Sequence, residues 1–339
     1  METSSRADAA QHAAVVWRPV TVDDIPAWNG LLARAEEVDR TGEHYNEADL
    51  AEELADPASG PEDRTAGWVD DTMVAFAGLM PREAVTDHWR VHGEGVVDPV
   101  HRGQGLGRHG VEWAASRTRQ LQQERHPTVE TRLQVTASPD RADQVALLEE
   151  AGFTAVNWSA TMRAHLDTGE VPNRAEVTWP EGHHLRTYDR GLSTATRDAH
   201  NAAFLDHWGF VPWTPAMWEQ WVDGTRNSRF DLSWAVVPDD RPDHVVGYVL
   251  TSVFDAFEQV TGRREAYLAK IGVRREMRGR GIASGLLRHA LSAYREAGFH
   301  ETSLDVDTNN PTGAFGLYER HGYVVERRTA TYQLTLPGR

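Results

Sequence analysis

The chain has 339 residues, which exceeds the usual size of a single domain and favours two. Hydrophobic residues make up 40% and charged residues 25%, values typical of a globular protein and not of a disordered chain or a membrane protein. The net charge of −16 opposes binding to nucleic acid, whose phosphates attract basic surfaces, and favours a cationic or neutral small partner.

The sequence contains no cysteine, which excludes disulfides, thiolate metal sites and a cysteine nucleophile. Residues 1–14 have no apolar run of signal-peptide length, and no later stretch reaches the roughly 18 apolar residues of a membrane helix. We therefore expect a cytoplasmic protein with a flexible tail over residues 1–14, no metal, and no nucleic-acid or membrane partner. Whether the chain is a monomer or a homodimer is left open.

The chain is predicted to be a tandem duplication. Three pairs of landmarks in similar sequence contexts lie about half a chain apart: Arg18 and Arg186, Arg102 and Arg278, and Gly152 and Gly322. Agreement in both order and spacing is typical of a repeated domain. We predict an N-terminal domain over 15–166, a linker over 167–181 and a C-terminal domain over 182–339.

In the second half, apolar alternation and turn residues predict a strand, two helices and then three strands, at 183–189, 193–208, 215–224, 232–238, 244–254 and 265–273. A glycine-rich turn follows, and then a helix, a strand, a short helix and final strands, the first three at 283–298, 302–308 and 312–321. An antiparallel meander before a strand-helix-strand crossover predicts an α/β (α+β) domain. Its central sheet should be mixed, mostly antiparallel and flanked by helices.

The turn "RGRGIASGLL" at 278–287 has a cruder copy, "RGQGLGRHGV", at 102–111. A strand that enters a glycine turn and then a helix brings backbone N–H groups and a helix N-terminus together, which favours an anion such as phosphate. An ordinary loop with exposed arginines is the simpler interpretation, and the duplication favours the ligand site. A dinucleotide turn fits less well, because Ser284 stands where the third glycine belongs and antiparallel strands precede the turn.

These turns, with "IGVRREMRGRGIASGLLRHAL" and "LDVDTNNPTGAFGLYERHGYVV" of the second half, resemble the GNAT superfamily of N-acetyltransferases. Members bind the pyrophosphate of acetyl-CoA on an Arg/Gln-x-x-Gly-x-Gly/Ala turn. The resemblance implies two GNAT-like domains and a CoA site in the second half formed by Ile271, Val273, Arg278, Gly279, Arg280, Gly281, Ile282, Ala283 and Asn310. The matching positions of the first half are Val97, Arg102, Gly103, Gln104, Gly105, Leu106 and Gly107.

The resemblance also implies direct transfer of acetyl from acetyl-CoA to a primary amine, without a covalent enzyme intermediate. Tyr318 matches the tyrosine that many members place beside the CoA sulfur as a general acid, although a core aromatic is the alternative. Leu148 stands at the corresponding position of the first half and cannot donate a proton. We therefore predict that the C-terminal domain is catalytic and the N-terminal domain is not, and leave open whether the latter binds CoA.

The general base is less well defined by the sequence. Glu265 begins the strand before the turn and is the candidate that we select. Asp305 and Asp307 on the next strand are alternatives, as are Asp206 and His207 beside the predicted acceptor side.

The acceptor is predicted to be a small-molecule amine bound among the tryptophans and carboxylates of the second half. Trp218 and Trp221 have helical spacing and are predicted to be core residues. The stretches "EHYNEADLAEEL" and "AFLDHWGF" are similar to actinobacterial two-domain GNAT proteins such as mycothiol synthase, which suggests a cysteinyl-sugar amine as one alternative substrate. A non-catalytic acetyl-CoA-binding sensor or scaffold is the alternative function.

Overall fold

The computed structural model of the chain describes residues 14–168, 176–205, 207–308 and 313–339. In the described residues the α-helices are α1 (Ile25–Asp39), α2 (Glu47–Leu54), α3 (Leu106–Arg125), α4 (Ala142–Glu150), α5 (Ser193–Ala203), α6 (Pro215–Trp218), α7 (Asp255–Thr261), α8 (Ile282–Glu296) and α9 (Ala314–Glu319).

The described strands form one twelve-stranded sheet. They are β1 (Val16–Pro19), β2 (Arg64–Val69), β3 (Thr72–Val85), β4 (His88–Val97), β5 (Glu130–Ala137), β6 (Thr154–His165), β7 (His183–Thr187), β8 (Trp234–Pro238), β9 (Gly247–Ser252), β10 (Glu265–Val273), β11 (Glu301–Asp307) and β12 (Val324–Leu336). Neighbouring strands are antiparallel except for the pairs β4–β5 and β10–β11, which are parallel. The predicted fold class is confirmed.

The two halves exchange their last strands. The strand order is β1-β2-β3-β4-β5-β12-β6-β11-β10-β9-β8-β7. Strand β12, from the end of the chain, pairs with β5 from Ala330 opposite Ala137 to Leu336 opposite Thr131. Strand β6 pairs with β11 of the second half. The hydrogen-bonded boundary therefore does not follow the sequence boundary near residue 166, because each half completes its sheet with a strand of the other.

The exchanged strands also supply core side chains to the opposite half. Ala160, Met162, Ala164 and Leu166 lie in the core beneath α8, with residues of the second half. Ala330 and Tyr332 lie in the core beneath α3, with residues of the first half. The apolar alternation of β6 and β12 is compatible with pairing inside their own half or with the other half. Alternation determines which face of a strand is apolar and not which neighbouring strand forms the hydrogen bonds.

Helix α8 positions the predicted phosphate turn. It begins directly after Gly281 and buries a stripe of apolar side chains against the sheet: Leu286, Leu287, Ala290, Leu291 and Tyr294. The i, i+4 recurrence of these side chains is typical of a helix with one buried face. Gly298, just past the end of the helix, has a φ of +80°, a conformation that glycine adopts without a Cβ penalty.

Separate halves are expected not to fold. A fragment over 14–166 would expose Met162 of β6 and Leu166 just after it, and would lose the apolar side chains of β12. Burial of one such large side chain contributes about 1.5–3 kcal/mol, and a whole domain is stable by only about 5–15 kcal/mol. We expect the fragments 14–166 and 176–339 to aggregate when expressed alone and to form a soluble 1:1 complex when co-expressed. A cooperative melting transition from either fragment alone would contradict the exchange.

In the described part of the chain, no helix combines the length and the apolar character needed to cross a membrane. Among the same residues, no three His, Asp or Glu side chains are grouped so that they could hold a metal ion.

Candidate functional site

The two glycine turns have the same backbone conformation. Gly103 and Gly105 have φ values of +75° and +85°, and Gly279 and Gly281 have values of +74° and +81°. Gly105 and Gly281 are the N-caps of α3 and α8, and a Cβ added at any of the four glycines would meet no atom within 4 Å. Each turn therefore presents helix N-terminal N–H groups to open space, an arrangement that fits a pyrophosphate.

The side chain of Arg278 holds the turn in place and is not directed at the predicted phosphate site. Its Nε donates to the carbonyl of Val273 (3.4 Å), and its Nη2 donates to the carbonyl of Ala203 (2.7 Å). Arg102 acts similarly, with Nε donating to the carbonyl of Val97 (3.2 Å) and a two-pronged ion pair to Asp39 (2.8 and 2.7 Å). Arg278, which the family resemblance places in the CoA site, therefore holds the backbone around the turn, whereas Arg280 is exposed.

The parallel strand pairs separate just before each turn. Strands β4 and β5 are paired up to Gly93 and Val135, and strands β10 and β11 up to Tyr267 and Ser303. The remaining residues of β4 and β10 border an open wedge. In β10, a bulge between Leu268 and Lys270 accompanies this separation.

The N–H groups predicted to hold the CoA arm face this wedge. The Arg274 N–H donates to Val246 on the opposite side of β10, so alternation directs the N–H groups of Ile271 and Val273 towards the wedge. In the first half, Asp98 donates to Val74, which by the same alternation directs the Val97 N–H towards its wedge. Both halves therefore retain the backbone geometry that the sequence predicts.

A cavity of about 500 Å³ connects the wedge and the turn of the first half. This volume lies in the range of small-molecule sites. Its walls combine the turn, the end of β4 and the helix α4, and include Glu94, Val97, Arg102, Gly105, Leu106, Gly107 and Leu148. The half that lacks the tyrosine thus has room for a ligand.

Tyr318 of the second half has a buried ring and an unused hydroxyl. The residue is 6% exposed, and its ring meets Tyr323 edge-on at 5.9 Å between centroids. Within the described residues its hydroxyl forms no hydrogen bond. Burial raises the pKa of Tyr318 above its usual value, so the phenol keeps its proton at neutral pH. Leu148, in the corresponding helix α4, is 2% exposed and lies in the apolar core of the first half.

His321 links the helix that carries Tyr318 to the helix that follows the turn. Its Nε2 is 2.9 Å from the Ser284 hydroxyl of α8, and its Nδ1 is 2.8 Å from the Leu317 carbonyl of α9. Ser284, which breaks the dinucleotide glycine pattern, therefore has a structural partner.

Two further polar residues, Tyr248 and His200, lie beside the wedge of the second half and were not predicted. The Tyr248 hydroxyl is 2.6 Å from Nδ1 of His200, and a Cβ on Gly272 would lie 2.7 Å from that hydroxyl. Burial, followed by the charge of Lys270, lowers the pKa of His200 to about 3, so this imidazole is neutral. The pKa of Tyr248 is raised by burial and then by Tyr318.

The first half lacks this pair of hydroxyls. Tyr248 pairs across the sheet with the residue just before Val273, and Phe76 pairs with the residue just before Val97. Phe76 and Leu148 thus stand where the second half has Tyr248 and Tyr318. A strand aromatic such as Tyr248 carries no functional signal in the sequence, and only the strand pairing reveals its position.

Glu265 lies in the part of β10 that is still paired with β11, before the wedge begins. It opens β10 opposite Glu301, six residues before Ile271, which corresponds to about 20 Å along a strand. Its carboxylate is bound by Arg163, which also contacts Glu301 (2.8 Å) and Glu326 (2.9 Å). Burial raises the pKa of Glu265, and the charge of Arg163 opposes that rise. In the structure Glu265 therefore pairs with Arg163, and its role as the general base stays a prediction.

The other candidates for the general base either have polar partners within the protein or lie outside the described residues. Asp305 accepts hydrogen bonds from Thr161 (2.6 Å) and from the Tyr267 hydroxyl (3.1 Å). Asp307 is buried and has a polar partner. Asp206 and the predicted CoA contact Asn310 lie outside the described residues.

The tryptophans differ in their burial. Trp218 is 1% exposed in a core cluster, as predicted. The prediction for Trp221 is wrong, since it is 42% exposed. The reason is a π-helical turn over Glu219–Asp223, which rotates Trp221 away from the face that an α-helix would give it. Trp213 is partly buried and covers the Lys270 ammonium, 4.6 Å from the ring centroid.

Lys270, the only lysine in the sequence, lies on β10, one residue before Ile271. Burial, and then the charge of Arg82, lowers its pKa to about 8.

We expect the Cε resonance of [¹³C]lysine-labelled protein to titrate near pH 8, and Arg82→Gln to raise that midpoint. The pKa of a lysine in the unfolded chain is about 10.5. Titration of Lys270 alone should therefore make the free energy of unfolding increase as the pH rises from 8 to 10.5. A midpoint near 10.5 would contradict this description.

Comparison with known proteins places these features in a family. The profile of the acetyltransferase (GNAT) family matches residues 28–153 and 194–323. A GCN5-related N-acetyltransferase from Sphaerobacter thermophilus is 27% identical with a TM-score of 0.75, over 96% of this chain and 97% of that one. A tandem GNAT protein from the clavulanic acid biosynthesis pathway is 17% identical with a TM-score of 0.68, over 95% and 98%.

A shorter similarity connects the chain to the N-alpha-acetyltransferase MAK3 of Arabidopsis thaliana, with 40% identity over 68 residues. This similarity covers 20% of the present chain and 35% of the plant protein. The two family matches cover most of the sequence and confirm the predicted duplication. The chain therefore belongs to the acetyltransferase (GNAT) family and contains its domain twice.

Proposed function

We propose that the chain transfers an acetyl group from acetyl-CoA directly to the amine of a small molecule, and that this chemistry takes place in the second half. The observation that carries the proposal is the hydroxyl of Tyr318, which has no hydrogen-bond partner among the described residues and lies in the half whose strand wedge and glycine turn fit acetyl-CoA. The first half has the same turn and a large cavity, but presents Leu148 and Phe76 at the two hydroxyl positions. Its role in this proposal is to bind CoA or acetyl-CoA without transfer.

Different residues of the chain have different roles in the proposed reaction. The turn from Gly279 to Gly281 binds pyrophosphate, and the N–H groups of Ile271 and Val273 orient the arm and the thioester carbonyl. The acceptor nitrogen forms a bond to the acetyl carbon, the carbon–sulfur bond breaks, and Tyr318 gives its proton to the leaving thiolate. The acceptor's proton passes to water in the cleft, from which Tyr318 is reprotonated. The products are the N-acetylated amine and CoA.

Calorimetric titration tests the ligand part of the proposal. We expect two molecules of acetyl-CoA to bind per chain, one to each half, and NAD to give no heat of binding. Gly105→Asp should remove one of the two sites. Preference for NAD over acetyl-CoA would overturn the proposal, and binding of acetyl-CoA without transfer to any amine would favour a sensor.

A further inference from the structure

Two cations from opposite halves lie against residues 209–213, since Arg90 lies beside Gly209 and the Lys270 ammonium is 4.6 Å from the centroid of the Trp213 ring. A third cation, Arg82, acts electrostatically on both. Arg82 lies on β3, Arg90 on β4 and Lys270 on β10. In the described part of the chain, none of their side chains forms an ion pair or a hydrogen bond. This is unusual in a chain with 51 acidic and 35 basic residues, where most described arginines have a carboxylate partner. We call Arg82, Arg90 and Lys270 the cleft cations.

The cleft cations repel one another. The charge of Arg82 lowers the pKa of Lys270 and that of Arg90, in each case after the larger effect of burial. Asp56 is the acid that acts on Arg82, but its Oδ1 already accepts from Gln220 (2.9 Å) and from the Ala58 N–H (2.9 Å). Holding like charges near one another without a carboxylate at ion-pair distance is unfavourable, most of all for the half-buried Arg90 and Lys270. The cluster therefore has the electrostatics of a site for an anion, which the described residues do not supply.

The cleft cations are held in position and remain reachable. Trp213 covers Lys270, and Gly209 lies so close to Arg90 that a Cβ there would be 2.4 Å from Nη1. Arg82 is exposed to solvent, and the other two cations are half-buried. A ligand could thus enter without rearrangement of the backbone.

The location connects the cleft cations to acetyl transfer. Alternation from Lys270 to Gly272 puts both residues on the face of β10 that carries the Tyr248 hydroxyl. Ile271, whose N–H faces the wedge, lies between them. An anion held by Lys270 would therefore lie beside the acceptor side of the thioester site.

We infer that the cleft cations bind the acidic group of the acceptor, so that the substrate is a small amine carrying a carboxylate or a phosphate. This inference rests on the proposed function and names the substrate class for it. It reverses the expectation of a cationic or neutral partner, because the net charge of −16 describes the whole surface and not this cleft.

A binding experiment tests the inference without requiring turnover. The [¹³C]lysine-labelled chain has one lysine Cε resonance, because Lys270 is the only lysine. We expect phosphoethanolamine or phenylalanine to shift this resonance and to raise its titration midpoint. Ethanolamine and phenethylamine, which lack the acidic group, should leave it unchanged. Comparison of phosphoethanolamine with phenylalanine shows which acidic group the cleft cations bind. The inference would be overturned if neither compound shifted the resonance, or if the neutral amines shifted it equally.

A kinetic experiment then separates this inference from the proposed function. Arg82→Gln and Lys270→Met should lower kcat/KM for the acidic amine by about 10- to 100-fold, mainly through KM, as expected for loss of a charged hydrogen bond. Rates with neutral amines should not fall. Arg241→Gln changes an exposed arginine of a distant turn and serves as the control. Turnover that prefers neutral amines would refute the inference but not the proposed function. Absence of CoA release with any amine would refute the proposed function, and the binding experiment would then be interpreted without it.

Discussion

Gly281→Asp is expected to reduce amine-dependent CoA release by roughly 10³-fold or more, whereas Gly105→Asp should leave most of it intact. The added carboxylate would occupy the open space above the N-terminus of α8, where the pyrophosphate is proposed to bind. Like charges brought together in a binding site cost several kcal/mol, and each 1.4 kcal/mol is tenfold in affinity. Steady-state kinetics and acetyl-CoA titration on both variants provide the measurement.

The two glycines form a matched pair. Both are helix N-caps with φ above +80°, and both face open space, so the backbone strain of substitution is the same in each half. Gly262→Asp adds a control for strain outside either site, because Gly262 also has a positive φ and an open surrounding. Loss of turnover in Gly105→Asp, with Gly281→Asp active and both variants folded, would move the chemistry to the first half.

Tyr318→Phe is expected to lower kcat by roughly 10²- to 10⁴-fold, the usual contribution of a general acid, with acetyl-CoA affinity nearly unchanged. Phenylalanine keeps the ring that packs against Tyr323 and removes a hydroxyl that has no partner among the described residues. The change should therefore have little effect on stability. An acetyl thioester of a more acidic thiol should partly restore the rate. Its thiolate is a better leaving group and therefore depends less on protonation by Tyr318.

Tyr323→Phe is the matched control for this variant. Tyr323 is buried beside Tyr318, but its hydroxyl is 3.2 Å from that of Thr302 and lies in the core. Its loss should lower the free energy of unfolding by about 1 kcal/mol and leave kcat unchanged. If Tyr318→Phe had wild-type kcat with acetyl-CoA, Tyr318 would be a packing residue, and water or the acceptor ammonium would protonate the thiolate.

Local features of this chain could be predicted because they depend on neighbouring residues. The bounds of β10 and the turn at Gly281 follow from apolar alternation and from positions that require a positive φ. The duplication followed from the repeated turn and was confirmed by the two family matches.

Long-range features could not be predicted in this way. The exchange of β6 and β12 depends on which strand edges meet, and the alternation of each strand is the same in either pairing. That Lys270 and Arg82 form no ion pair with a described carboxylate depends on spatial neighbours, which residues far apart in the sequence determine. Glu265 was selected for its place on the strand before the turn, whereas its ion pair with Arg163 depends on the exchanged strand β6.

The most direct test of the account is to incubate the chain with acetyl-CoA and a panel of small amines, both acidic and neutral, and to measure thiol release and product mass. We predict amine-dependent release of one CoA for each N-acetylated amine formed, with no acetyl group retained on the protein. Acetyl-CoA binding without release of CoA across the panel, or acetylation of the protein in place of the amine, would contradict the account.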